Sequence, residues 1–202
     1  MSSLNKINRC EVCGASDLQV VLDLGKHPMC DDLIAVGSDS LAEEYPIEIM
    51  FCPDCITAHQ RYQVPKRTLF PDNYHYRARF TADVLNGMEK LVLGCKERFG
   101  SLEGKKVVDI GCNDGSLLQH FRKNGAFTVG IEPTDAVLDA RKVVDAAYKE
   151  YLSVDICQKV VREHGHPDFI TMTNVFAHVE NIDDVLKSLQ ALMSKTTVLV
   201  IE

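Results

Sequence analysis

Two pairs of cysteines with the same internal spacing lie in the first 55 residues of the chain. Cys10 and Cys13 form one C-x-x-C pair, and Cys52 and Cys55 form the other. A two-residue gap lets both sulfurs of a pair reach one ion at about 2.3 Å with tetrahedral angles, so the pattern predicts one Zn²⁺ bound by four thiolates. A closed shell of four thiolates leaves no position for water or substrate, which makes the predicted role structural. The alternatives are reduced cysteines that fill apolar space, or a redox pair.

Residues 107–118 are typical of the turn between a buried strand and a helix. An apolar run ends near Asp109, Gly111 and Gly115 permit a tight turn, and a helix is predicted to begin near Ser116. In a parallel sheet, this turn lies at the carboxyl edge of the strands, where ligands bind. The pattern therefore predicts a binding site made of the Asp109 carboxylate and backbone N–H groups, and Gly111, Asn113 and Gly115 are the candidate binding residues of the turn.

The residues around this turn indicate which ligand it binds. Asn113 stands where the dinucleotide fingerprint G-x-G-x-x-G has its second glycine, which disfavours a pyrophosphate cradle and a nucleotide-binding oxidoreductase. Asn tolerates a left-handed backbone better than most residues, so the turn can still form. Glu132 lies 132 − 109 = 23 residues after Asp109, at the end of the next predicted strand, where a carboxylate can accept ribose hydroxyls.

An acidic edge of this kind suits a ligand with a cationic amino group and hydroxyls, and we predict S-adenosylmethionine. The alternative is an ordinary strand-turn-helix in which Asp109 only caps the turn.

Hydrophobic patterning predicts the elements that position these residues. Residues 1–72 carry cysteines and short β-like runs at 19–24 and 47–51, and are predicted to form a zinc-binding module without a large core. Residues 73–103 form a linker with an amphipathic connecting helix from Phe80 to Phe99. Residues 104–202 are predicted to form an S-adenosylmethionine-binding domain.

In that last region, short apolar runs alternate with helix-length segments, which predicts an α/β fold with a Rossmann-like, doubly wound parallel sheet. The last helix has the clearest start, with Asn181 as its N-cap. The predicted strands are 106–110, 128–131, 146–151, 169–173 and 196–201.

Composition excludes several classes of partner. The 202 residues include 22 Lys and Arg against 29 Asp and Glu, a formal net charge of −7, and no basic tract interrupts this acidity, so nucleic acid is not an expected partner. No apolar run reaches the roughly 18 to 20 residues of a membrane span, and the start lacks the apolar core of a signal peptide. We therefore expect a soluble, cytoplasmic protein with no membrane partner. Cys30, Cys95 and Cys157 lie in no recognisable nucleophile context and are expected to be ordinary thiols.

Taken together, several stretches resemble the nucleotide-sugar C-methyltransferases. The matching stretches are the two cysteine pairs, Asn73–Arg77, Asp109–Leu118, Gly130–Pro133 and Asn174–Val179. The resemblance implies a zinc-binding module, a class I methyltransferase sheet and a nucleotide-linked keto-deoxy sugar as substrate. It also implies a further C-terminal domain, so the sheet is expected to be incomplete after Glu202.

The resemblance implies methyl transfer to a carbon through an enolate, formed when a side-chain base removes the hydrogen next to a ketone. His178 is the candidate base at the ligand edge, Tyr74 and Tyr76 are candidate catalytic residues, and Asn174 is a candidate cofactor-binding residue. The alternative roles are a capping or core histidine and aromatic packing. The family has further catalytic residues beyond the last strand present in this chain.

A second function remains open: a cofactor-binding but catalytically silent zinc-containing module that assembles with another chain. In either case an apolar sheet edge after Ile201 predicts self-association, or pairing with the C-terminal part.

Overall fold

The computed structural model describes residues 4–29 and 33–202, and the chain divides after Leu69 into two compact units. Cys30, which we expected to be an ordinary thiol, lies outside the described residues. Among the helices of the described part, none has the combined length and apolar character that a bilayer crossing requires.

The first unit is built from short antiparallel sheets. Its core among the described residues is small and centres on Ile7, Tyr45, Met50 and two of the cysteines. This confirms that the region lacks a large core. One sheet has the order β2-β3-β4, and a second pairs β1 with β5. The elements are β1 (Asn5–Lys6), β2 (Gln19–Pro28), β3 (Glu44–Cys52), β4 (Thr57–Gln60), β5 (Tyr62–Gln63) and α1 (Lys66–Leu69).

The second unit contains a sheet of five parallel strands in the order β10-β9-β6-β7-β8. These strands are β6 (Lys106–Ile110), β7 (Phe127–Ile131), β8 (Ala146–Tyr148), β9 (Phe169–Met172) and β10 (Val198–Ile201). The predicted doubly wound parallel sheet is confirmed. The third predicted strand is too long, because β7 ends at Ile131 opposite Tyr148 and leaves residues 149–151 without a neighbour to pair with.

Helices cover both faces of this sheet. The helices are α2 (Ala82–Phe99), α3 (Ser116–Lys123), α4 (Val137–Ala140), α5 (Val154–His164) and α6 (Ile182–Leu192), and short 3₁₀ turns span Ala78–Phe80 and Phe176–His178. Successive side chains of a strand point to opposite faces. Accordingly, Val107 belongs to the apolar cluster with α2 and α3, and Val108 belongs to the cluster with α5 and α6.

Helix α2 is an integral part of the second unit. Its residues Val92 and Cys95 are buried in the same cluster as Leu117 and Phe121 of α3. The helix that the sequence placed in a connecting region is therefore held by the core of the sheet domain. The predicted cap of α6 is also confirmed, since the Asn181 side chain accepts a hydrogen bond from the N–H of Asp184.

Strand β6 lies at the topological switch point of the sheet. It pairs with β7 on one side and with β9 on the other, so the connections that leave these strands diverge above its carboxyl end. In open α/β sheets this divergence creates the crevice in which ligands bind. The fold thus places Asp109, the next-to-last residue of β6, at the predicted edge of the sheet.

Candidate functional site

The two cysteine pairs of the first unit adopt the same local turn. The N–H of Gly14 donates to the carbonyl of Cys10 at 2.8 Å, and the N–H of Ile56 donates to the carbonyl of Cys52 at 2.9 Å. Gly14 and Ile56 both have left-handed backbones, with φ of 78° and 59°. A β-branched residue rarely adopts this conformation, so the geometry at Ile56 is imposed by the turn around its cysteine pair.

The four sulfurs converge on one point. The Sγ atoms of Cys10 and Cys55 are 3.5 Å apart, those of Cys13 and Cys52 are 3.6 Å apart, and all four lie within 4.8 Å of one another. A tetrahedral ion with Zn–S bonds of about 2.3 Å requires S···S separations of about 3.8 Å. A hydrogen bond with Thr57 is the leading cause that lowers the pKa of Cys55 to about 7, which favours the thiolate. The donor set and its spacing therefore fit a structural zinc ion.

Asp109 is buried at the switch point of the sheet. Asp109 is only 2% exposed. Its Oδ1 accepts a 2.6 Å hydrogen bond from the hydroxyl of Thr171 on β9. Burial raises the pKa of Asp109 to about 7, with a further increase from the charge of Glu132, while the Thr171 hydrogen bond opposes the increase. A cation placed beside this carboxyl would favour its ionised form.

The glycine turn after β6 has the backbone that the sequence predicts. Gly111, Asn113 and Gly115 have φ values of 71°, 49° and 80°, so Asn113 does adopt the left-handed conformation. A Cβ atom at Gly111 would lie 2.4 Å from the Cγ2 atom of Val175, and one at Gly115 would lie 3.2 Å from the Cα atom of Ala140. Both positions therefore need glycine for conformation and for space.

Glu132 lies at the end of β7, 5% exposed, and its carboxylate is held in place by three donors. Its Oε2 accepts from the N–H of Asn113 at 3.0 Å, and its Oε1 accepts from the N–H and the hydroxyl of Thr134 at 2.9 and 2.6 Å. A carboxylate has about four acceptor positions. Among the described residues three of these are used, which leaves one on Oε2 for a ligand hydroxyl.

Asn174 and His178 belong to the loop that follows β9. Asn174 is exposed, has a left-handed φ of 53°, and donates its N–H to the carbonyl of Glu202. His178 is also exposed, which argues against a core histidine, and its ring lies edge-on to that of Phe70 at 6.0 Å between centroids. The loop thus places both candidates at the same edge of the sheet as Asp109.

Tyr74 and Tyr76 lie in a segment just before the 3₁₀ turn that precedes α2. We call residues 74–80 the aromatic segment. The ring of Tyr74 packs edge-on against Phe70 at 5.6 Å and is 6.4 Å from the ring of Tyr76. The rings of Tyr74 and His178 therefore both contact the ring of Phe70.

Sequence reasoning missed the residues that hold this segment. Arg77 donates from Nη1 to the carbonyls of Tyr74 and Tyr76, at 2.7 and 2.8 Å, and its Nε is 3.2 Å from a carboxylate oxygen of Asp139. Hydrogen bonds with Lys142, Arg79 and Arg77 hold the pKa of Asp139 well below its usual range. Sequence spacing carries no signal for this pairing, because Arg77 and Asp139 are 62 residues apart.

Comparison with known proteins identifies the second unit. Residues 75–202 match a family model described as a methyltransferase domain. The chain belongs to this methyltransferase family. Residues 10–70 match a model described as "Putative zinc binding domain", and this range contains all four cysteines of the cluster. The predicted methyltransferase domain is confirmed.

Two curated relatives differ in how much of this methyltransferase they match. The C-methyltransferase NovU of Streptomyces niveus is 29% identical over 194 residues, which cover 93% of this chain and 45% of that protein. The ubiquinone biosynthesis O-methyltransferase of Escherichia coli (strain K12 / DH10B) is 32% identical over 97 residues, 46% of this chain and 40% of that protein. The chain therefore spans less than half the length of these relatives.

Solved structures of methyltransferases also resemble the chain. The plantazolicin methyltransferase BpumL, solved with a pentazolic analogue and SAH, has a TM-score of 0.48 and 21% identity, and the match covers 68% of this chain and 52% of that chain. The magnesium protoporphyrin IX methyltransferase of Synechocystis PCC 6803, solved with SAM, has a TM-score of 0.44 and 18% identity, with 58% and 57% covered.

Proposed function

We propose that the chain binds S-adenosylmethionine at the carboxyl edge of its parallel sheet and transfers the methyl group to a carbon of a nucleotide-linked keto-deoxy sugar. The observation that carries the cofactor proposal is the pair of buried carboxylates, Asp109 and Glu132, at the ends of the neighbouring strands β6 and β7. Two buried acids beside a glycine turn suit a ligand with both a cationic group and ribose hydroxyls, and do not suit a phosphate.

The residues of the chain fit parts of this ligand. The remaining acceptor position on Glu132 Oε2 suits a ribose hydroxyl, and the carboxylate is already oriented by Asn113 and Thr134. Asp109 lies where a cationic amino group favours its ionised form. The turn from Gly111 to Gly115 lets the ligand approach the backbone closely. When bound, S-adenosylmethionine supplies a methyl group on a sulfonium, which is electrophilic.

The acceptor carbon must be activated by the protein. In the proposed reaction a base removes the proton from the carbon next to the ketone, and the resulting enolate carbon forms a bond to the methyl group as the bond from that group to sulfur breaks. His178 is the candidate base, because its ring is exposed in the loop after β9. Tyr74 shares the Phe70 ring as a neighbour with His178, and Tyr76 lies beside Tyr74. Both tyrosines are candidates for hydrogen bonding to the enolate oxygen.

The choice of a carbon acceptor is supported by the extent of the NovU match. That C-methyltransferase matches 93% of this chain, whereas the O-methyltransferase matches 46% of it. The zinc ion proposed for the first unit has no open coordination position, so its contribution is to the folding of that unit rather than to the chemistry.

Two measurements test this proposal. Calorimetric titration of the chain with S-adenosylhomocysteine and with NAD should show binding of the first and none of the second. In D₂O with S-adenosylhomocysteine present, a thymidine-diphosphate 4-keto-6-deoxy sugar should exchange the hydrogen next to its ketone, and His178→Gln should slow this exchange about a hundredfold. A chain that binds S-adenosylhomocysteine but methylates only a phenolic oxygen would contradict the proposed substrate.

A further inference from the structure

Asn113 has a side chain whose two polar ends are both used by the aromatic segment. Its Nδ2 donates to the carbonyl of Tyr76 at 3.1 Å, and its Oδ1 accepts from the N–H of Ala78 at 3.1 Å. The amide side chain therefore bridges the residues on either side of Arg77, and both of its ends contact backbone groups of the aromatic segment.

The backbone of Asn113 contacts Glu132, a residue of the proposed cofactor site. The N–H of Asn113 donates to Oε2 of Glu132 at 3.0 Å, the oxygen that retains an acceptor position for a ligand. One residue thus joins the carboxylate proposed to bind ribose with the segment that carries Tyr74 and Tyr76. With a left-handed φ of 49°, Asn113 contacts one partner through its N–H and the other through its side chain.

A neighbouring contact attaches the segment to the same turn. Asp114 is buried, and its Oδ2 accepts from the N–H of Arg79 at 3.0 Å, while its Oδ1 accepts from the N–H and hydroxyl of Ser116 at the start of α3. Two side chains of the turn therefore hold the aromatic segment. The buried Asp114 carboxylate binds the N–H of Arg79, and the Asn113 amide binds Tyr76 and Ala78.

We propose that Asn113 is a positioning residue, which couples occupancy of the cofactor site to the placement of the aromatic segment. This inference rests on the proposed function, because the coupling requires that a ligand binds at Glu132 and the glycine turn. A ligand that orders the turn also orders the segment, since the Asn113 side chain connects them. The asparagine in place of the fingerprint's second glycine then serves substrate alignment rather than cofactor contact.

The variant Asn113→Gly separates the two roles of the residue. Glycine adopts the left-handed backbone without strain and keeps the N–H that donates to Glu132, but removes both side-chain hydrogen bonds to the segment. We expect its affinity for S-adenosylhomocysteine to stay within about threefold of wild type. Loss of two hydrogen bonds should speed hydrogen exchange of the amides at 76–81 on the order of tenfold.

Asn124→Gly is the matched control. Asn124 also uses both ends of its side chain, accepting from Lys96 Nζ and donating to the carbonyl of His120, but it lies at the end of α3 away from the segment. It should leave exchange at 76–81 unchanged. Hydrogen exchange followed by mass spectrometry, with and without S-adenosylhomocysteine, provides the measurement for wild type and both variants.

The ligand dependence distinguishes coupling from a purely structural role. In wild type, S-adenosylhomocysteine should slow exchange at 76–81, and in Asn113→Gly this slowing should be lost although the ligand still binds. A tenfold weaker affinity in Asn113→Gly would instead make the side chain a cofactor ligand and overturn the inference. Binding to wild type without slower exchange at 76–81 would overturn the inference alone, whereas absence of binding to wild type would overturn the proposed function and the inference with it.

Discussion

The hydroxyl of Thr171 donates a 2.6 Å hydrogen bond to Oδ1 of Asp109, across the two strands that meet at the switch point of the sheet. Both residues are buried, so this hydroxyl is the group that favours the ionised form of the carboxyl against desolvation. The pair sets the charge at the base of the proposed cofactor site, and this charge responds to pH near neutrality.

Asp109 should make the stability of the second unit depend on pH. Its pKa is raised from the ordinary 3.8 to about 7 in the folded chain, so the folded state retains a proton that the unfolded state loses. Stability contributed by this proton is present at acidic pH and is lost as pH rises from about 4 to about 7, with a slope of at most about 1.4 kcal/mol per pH unit. Urea denaturation at several pH values should show this decline in wild type and a flatter profile in Asp109→Asn.

The variant Thr171→Val tests the direction of this pH dependence. Removing the hydroxyl takes away the hydrogen bond that lowers the pKa of Asp109, so the decline in stability should extend to higher pH. A profile that moves to lower pH, or that is identical in Asp109→Asn and wild type, would contradict the assignment.

Glu132→Ala should weaken binding of S-adenosylhomocysteine about tenfold to a hundredfold, because a hydrogen bond to a charged group is worth roughly 1.5 to 3 kcal/mol. Glu132→Gln should have a smaller effect, since the amide retains one acceptor oxygen. Glu97→Gln, an exposed change on α2, is the control and should bind as wild type does. Calorimetric titration measures the three affinities, and unchanged binding by Glu132→Ala would place the ribose elsewhere.

The cysteine cluster should hold about one equivalent of zinc in purified protein, measured by plasma emission spectroscopy. Cys52→Ser should lower this content to near zero and unfold the first unit, because the described core of that unit is small and the ion supplies folding free energy. Cys95→Ala, in the second unit, should retain the metal. The prediction would be refuted if wild-type protein that was never exposed to a chelator contained no metal and had a fully folded first unit.

Arg77→Met should destabilise the second unit by about 1 to 3 kcal/mol, because a charged donor to two carbonyls and a carboxylate is lost. The Arg77 side chain is 14% exposed, whereas that of Arg122 is 49% exposed, pairs with Asp145 and donates to one carbonyl, that of Val143. Arg122→Met should therefore cost less than about 1 kcal/mol. Thermal denaturation compares the two, and equal losses would show that the Arg77 contacts are no more stabilising than a surface ion pair.

The sequence by itself determined which four cysteines cluster, the parallel sheet and the position of the glycine turn. The spacing within each cysteine pair matches what a tetrahedral metal ion requires of its ligands. The alternation of short apolar runs with helix-length segments is compatible with only a few sheet topologies. The tolerance of Asn113 for a left-handed backbone could be read from its residue type, and the structure shows that Asn113 adopts this conformation.

Only the tertiary structure decided what those residues contact. The Thr171 hydroxyl on Asp109, the Arg77 contact with Asp139 and the Asn113 bridge to Tyr76 and Ala78 each join residues at least 35 positions apart. Hydrogen bonds between distant segments depend on distances of about 3 Å that residue patterns do not encode, whereas strand and helix periodicity is local. The same limit explains why α2 was assigned to a connection: its amphipathic pattern shows that one face is buried, but not that α3 is what buries it.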